Sequence, residues 1–269
     1  MFRHAISPLS LILIFLLISA GLACVSRDSA ASNNGERLES FIAEYVAFRR
    51  GAEDDGPKAA EEWARRAEDF RSWEKRLEAI PRQGLTLDQD IDYRLILSDL
   101  RTETARIERE RAWGKDPGLY LPQEGFDSPL KAENFSPEEK SRRLGEALAG
   151  IISRLEFGRA NLKHPPVIFL DRAIKKAGEA AAFLRSDVAV RIEKTLGPSA
   201  GLGGDLENAA SALEEYARFL DTVLRPQAVE QPGIGKDLYD YYLQETYLMN
   251  EDTESLLKKG EAYFAETLR

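Results

Sequence analysis

Leu38-Glu39-Ser40-Phe41-Ile42-Ala43-Glu44-Tyr45-Val46 sets its large apolar side chains at i, i+3, i+4, i+7 and i+8. That spacing gathers them on one face of an α-helix, where they can be buried together. After a break at Gly51 to Pro57, Trp63, Ala67, Phe70, Trp73, Leu77 and Ile80 repeat the pattern. Pro81, which lacks an N–H and clashes with the preceding turn, ends it. Thr86 with Gln89 three residues on announces a third helix, because each side chain can satisfy the other's free backbone N–H. The apolar face of that helix reads as Ile91, Leu95, Leu100 and Ile107, with a stop at Trp113-Gly114. A fourth helix opens at Ser136-Pro137-Glu138-Glu139, with serine as cap, proline at the first position and Glu139 closing a second box. Its buried stripe is Leu144, Leu148, Ile151, Ile152 and Leu155. Further helices are expected at 165–196, 204–225, 235–249 and from 252 onward. No stretch sustains the period-two alternation of a strand between turn residues.

The expected fold is therefore all-α, a multi-helix bundle of about eight helices over residues 38–269. Gly114 to Phe135, with three prolines and two glycines besides Gly114's own, is irregular. A connection that long is uncommon unless it packs or functions. At the other end, Leu256, Leu257, Gly260, Tyr263, Phe264 and Leu268 form an apolar face that is still running at Arg269. That pattern suits an incomplete N-terminal part of a larger helical fold, and a natural domain can also end this way.

The opening of the chain reads differently. Arg3 and His4 precede an uncharged stretch from Ala5 to Ala23 that contains the apolar run Leu11 to Ile18, the layout of a secretory signal. Cys24, the chain's single cysteine, follows Gly21-Leu22-Ala23 and resembles the acylated residue of a bacterial lipoprotein signal, although Gly21 stands where leucine is usual. Residues 1–23 thus read as a lipoprotein-type signal peptide, and 24–37 as the lipid-attachment cysteine with a flexible tether rich in Ser, Ala and Asn. Simple cleavage after Ala23 and a retained anchor stay open, since the uncharged stretch is near the lower length limit for a membrane span. A single thiol cannot form an internal disulfide, so stability must come from the core. Removing residues 1–23 takes away one of 37 basic residues and none of 46 acidic ones, leaving a net charge of −10. Such a surface argues against nucleic acid and against binding anionic lipid through a basic patch. Membrane contact should come through acyl chains on Cys24, and stable anchoring needs more than one.

Few residues suggest chemistry. His164, before Pro165-Pro166, is the only histidine after the signal, too few for a zinc site of the usual kind. Asp88, Asp90 and Asp92 alternate like the start of a calcium loop, but Tyr93 stands where glycine must turn the chain and Asp99 where glutamate belongs. They fit better as acidic residues complementing a helix dipole. Tyr239, Tyr241, Tyr242 and Tyr247 crowd into one helix. Together with Tyr120 and Phe126 of the long loop, these aromatics either fill helix interfaces or line a cleft, with Tyr120, Tyr239 and Tyr242 as candidate cleft residues.

Asp90-Ile91-Asp92-Tyr93-Arg94-Leu95-Ile96-Leu97, Trp113 with Asp116-Pro117 and Tyr120, Gly235-Lys236-Asp237-Leu238-Tyr239, Ser255-Leu256-Leu257 and Gly260-Glu261 occur in a recognisable order. Over residues 36–269 the chain resembles the N-terminal half of the bacterial domain of unknown function 885 family. The resemblance implies an all-helical protein, often exported or lipid-anchored, similar to zinc metallopeptidases of the carboxypeptidase type. The family's metal motif, a helix with His-Glu and a later His-His pair, lies in the C-terminal half, which this sequence does not reach. No catalytic or metal residue carries over. No cofactor is expected in this chain, zinc and a peptide substrate belong only to a longer enzyme, and the chain alone is expected to be inactive. The alternative is a complete, non-catalytic lipoprotein that binds a partner or ligand in the bacterial cell envelope. Val25 after the cysteine lacks the aspartate tied to inner-membrane retention in some bacteria, so resemblance favours the outer membrane.

Overall fold

A computed structural model describes residues 29–51, 56–123, 125–197 and 201–268. Helix α1 spans Ser29–Gly51, α2 Ala60–Glu78 and α3 Leu87–Ala105, the last running on as a π-helical turn at Arg106–Glu110. Two 3₁₀ turns, Ala112–Gly114 and Pro117–Tyr120, and the single turn α4, Ser128–Lys131, occupy the irregular segment. Then come α5, Pro137–Asn161, and α6, Val167–Phe183, which continues through a π turn at Leu184–Val188 into α7, Ala189–Leu196. Helix α8, Gly203–Phe219, ends in another π turn at Leu220–Leu224, and α9, Lys236–Glu245, and α10, Thr253–Thr267, follow. Joined across their π turns, these make, among the described residues, the eight longer helices read from periodicity. Among the described residues no strand forms, and one isolated bridge pairs Pro166 with Val229.

The start signals act as the sequence suggests. The Gln89 N–H donates to Thr86 Oγ1 at 3.3 Å, and the Thr86 N–H donates to Gln89 Oε1 at 3.1 Å. Ser136 caps α5 through the Glu139 N–H at 3.2 Å, but the reciprocal half of that box is not made. The Glu139 carboxylate turns instead to Arg142 and Arg143, one turn on, whose guanidinium groups hold its pKa down to about 2. A charge-assisted pair outcompetes a neutral backbone N–H for the same oxygens.

The tether reading needs correction over its second half. Residues from Ser29 onward are already helical, so α1 begins well before Leu38. Its early turns are held by polar contacts that no apolar pattern announces: Asn34 Nδ2 donates to the Gln83 carbonyl and Arg37 to the Ala79 carbonyl, both at 3.1 Å.

Among the described residues, buried apolar side chains form two clusters. The first lies among α1, α2 and α3 and holds Leu38, Phe41, Tyr45, Phe70, Leu77 and Leu100. Trp73 packs edge-on to Phe41 and Tyr45 at ring separations of 5.3 and 5.6 Å, the geometry that aromatic quadrupoles favour. The second lies among α5, α6 and α8, where fully buried Ala173, Ala177, Ala209 and Ala210 let α6 and α8 approach closely. The irregular segment packs onto this second cluster through Tyr120, Leu121 and Leu130. A polar seam joins the two: Asn161 Nδ2 donates to the Lys58 carbonyl at 2.7 Å and to Tyr120 Oη at 3.0 Å, and the Lys163 N–H donates to the Gly114 carbonyl at 2.9 Å.

The third helix departs from its expected face. Leu100 and Ile107 are buried, but Ile91 and Leu95 are 44% and 51% exposed. Tyr93, Ser98 and Thr102 are buried instead. Ser98 and Thr102 are covered by the end of α9, through the Glu245 carbonyl and Thr246 Oγ1. Helix α9 stops there, which leaves the N-terminal half of that face bare.

Candidate functional site

The residues singled out from sequence fall in different places. Cys24 and the signal segment lie outside the described residues. Tyr120 does not line a cleft: it is 1% exposed, and its hydroxyl donates to the Trp113 carbonyl while accepting from Asn161. A phenol satisfied on both sides in this way is a core residue that pins the irregular segment. Burial raises its pKa, opposed by the Asn161 bond.

Tyr242 is half-buried where α9 crosses the end of α3, and its hydroxyl donates to Glu110 at 2.7 Å. Burial and the Glu110 carboxylate push its pKa up. Beside it the Arg109 guanidinium stacks 4.4 Å above the Tyr241 ring. Arg101 binds Glu74 on α2 at 2.7 Å and Glu245 on α9 at 2.9 Å, tying three helices together. These groups are committed to the packing of α9 on α3.

Tyr239 faces the other way. With Thr253, Leu256, Leu257, Gly260 and Phe264 it lines a shallow groove between α9 and α10. Two carboxylates hold the groove: Asp240 accepts from the Thr253 N–H at 2.8 Å and from the Thr253 hydroxyl and pairs with Lys236 at 2.6 Å, and Glu254 of α10 also pairs with Lys236, at 3.7 Å. Lys236, then Thr253, bring the Asp240 pKa down to about 2. Because the folded value lies below that of an ordinary aspartate, the stabilisation is present at neutral pH and fades as pH falls from near 4 through 2. Carbon-detected NMR should place the Asp240 titration near 2, and Asp240→Asn should abolish it while loosening the start of α10. A midpoint near 4 would mean that the link is not made in solution. Lys236 and Asp240 are visible in sequence as an i, i+4 pair, but the Thr253 bond needs the fold.

His164 sits in a left-handed turn with φ 48°, its Nδ1 3.2 Å from the Gln227 carbonyl. Asp90 pairs with Arg82 at 2.7 and 2.9 Å, which accounts for one of the alternating aspartates. Among the described residues, no three or more His, Cys, Asp or Glu side chains converge as metal ligands would. None of the described helices is long and apolar enough to cross a membrane.

The described residues define an all-helical protein with a shallow groove between α9 and α10. The chain belongs to the family described as bacterial protein of unknown function (DUF885), whose model matches residues 48–269. Comparison with curated proteins returns no match. Among solved structures, one described as a candidate lipoprotein of unknown function, from Shewanella oneidensis, aligns with a TM-score of 0.63 at 18% identity. The alignment takes in 89% of this chain and 45% of that one. At such identity the likeness is one of fold, and this chain spans less than half the length of the protein it matches.

Proposed function

We propose that this chain is the N-terminal, non-catalytic portion of a lipid-anchored protein of the bacterial cell envelope, similar to zinc metallopeptidases of the carboxypeptidase type. In this reading its helices supply one wall of a peptide cleft, and Cys24 carries the acyl anchor. The observation that carries the reading is length: a family member that spans 45% of a like-folded solved protein leaves more than half of that fold for a second functional part. The hydrophobic segment ending at Cys24 supports the anchor. Cells fed a labelled fatty acid should label the protein, and Cys24→Ser should abolish the label and release the protein from membranes. Equal labelling of the variant would sink the lipid assignment.

The donor set of this chain does not fit the zinc of such an enzyme. A catalytic zinc takes three protein ligands and keeps a position for water. The mature chain offers one histidine, His164, turned to a backbone carbonyl, and no cluster of acidic partners among the described residues. Residues 25–269, purified and reconstituted with zinc, are therefore expected to hold no stoichiometric metal and to cleave no member of a peptide library. One tightly bound zinc per chain, with cleavage that a chelator blocks, would overturn this, and His164 would be the first residue to replace.

A further inference from the structure

Helix α10 buries none of its residues, which is unusual for a helix fifteen residues long. A helix of that length is marginal in water by itself and needs a covered apolar face. Leu257 and Phe264, seven residues apart on one side, are 62% and 67% exposed, with Leu268 beyond them. The bare face of α3 is a second such surface. Ile91, Leu95, Ser98 and Thr102 follow one another at i, i+4, i+7 and i+11, and α9 covers only the last two. A covering layer begins with α9 and breaks off.

We propose that the α10 face is the seat of a helix from the part of the family fold that this chain does not span. The inference rests on the reading above that the chain is a portion of a longer protein. A protein partner fits better than a lipid surface, because Glu254, Glu261 and Glu266 outnumber Lys258 and Lys259 on α10, whereas helices that lie on membranes carry a basic polar face. A helical partner fits the groove, whose floor at Gly260 carries no side chain and leaves room for a second backbone between Leu257 and Phe264.

The test compares two proteins, residues 25–269 and the same reading frame carried through to its own stop codon, each with and without Leu257→Asp and Phe264→Asp together. Both side chains are largely exposed in the shorter chain, so its melting temperature should not change. In the longer chain the pair should lower the melting temperature by several degrees, and amide exchange across residues 253–268 should be slowed at least about tenfold relative to the shorter chain. A longer chain that tolerates the substitutions, with α10 exchanging as fast as before, overturns the inference and leaves the reading of a longer protein intact. Concentration-dependent dimerisation of residues 25–269, lost in the variant, assigns the face to a second copy. Co-sedimentation with phosphatidylglycerol vesicles assigns it to lipid, and either result overturns the inference too. A stop codon directly after residue 269 removes both the occupant and the reading of a longer protein.

Discussion

Phe70→Ala is expected to destabilise the protein by about 3–5 kcal/mol, the usual cost of emptying a fully buried aromatic site. Phe70 is 0% exposed at the centre of the first core. Phe48 packs edge-on to its ring at 5.7 Å, and the guanidinium groups of Arg49 and Arg66 lie 5.5 and 5.8 Å from its centroid. Its neighbours belong to different helices, so no single side chain can swing in to fill the space, and the cavity term should be felt in full. Urea unfolding followed by near-ultraviolet circular dichroism measures the loss, because Trp73 reports on this core. An unchanged midpoint would mean that the α1–α2 aromatic cluster is not packed as described.

The second large effect runs against helix propensity. On an exposed helix surface, Gly→Ala stabilises by about 1 kcal/mol. At Gly158, within α5, a Cβ would lie 2.7 Å from Tyr216 Oη and 2.8 Å from Tyr120 Cγ. Neither ring can retreat easily. Tyr120 is tied at its hydroxyl to Trp113 and Asn161, and the Tyr216 hydroxyl donates to the Pro117 carbonyl at 3.2 Å in a fully buried setting. Overpacking of this kind costs about 1–3 kcal/mol or more, so Gly158→Ala should be less stable than the parent. Gly150 in the same helix supplies the control, because nothing lies within 4 Å of where its Cβ would stand. Gly150→Ala should match or exceed the parent. Equal midpoints for the two variants would contradict the close approach at Gly158.

Most helices were legible because they bury a regular stripe, and period 3.6 survives in Leu38 to Val46 whatever covers it; α10 keeps the spacing although none of its residues is buried. Caps were legible where two side chains sit three apart, as at Thr86 and Gln89. The misreadings share a physical cause, which is that a local pattern does not name its partner. Ile91 and Leu95 stand nine and five residues before Leu100, on a different face of the helix from the core face of Tyr93, Leu100 and Ile107, and α9 covers that other face only at Ser98 and Thr102. Tyr120 in a proline-rich segment reads equally as cleft or core until Asn161 and Trp113 are seen at its hydroxyl. The early turns of α1 carry no apolar stripe and are held through the Gln83 and Ala79 carbonyls, which sequence cannot couple to Asn34 and Arg37. At the groove, Tyr239 was legible as an aromatic with a polar tip, whereas the role of Asp240 depends on Thr253 lying across a turn from it.

The two cores also bear on the order in which the chain can fold. The first is built from residues 38–107 and the second from residues 120–224, so neither borrows a buried apolar residue from the other's stretch. A chain delivered N-terminus first can close the first core before the second has emerged, because the contacts involved are local in sequence. What must wait is the seam. The Lys58 carbonyl, beside the first core, receives its Asn161 donor only when the end of α5 arrives. Docking of the two halves is then expected to follow closure of the first core, and stopped-flow refolding monitored by tryptophan fluorescence should show that Asn161→Ala slows it more than it slows closure of either core.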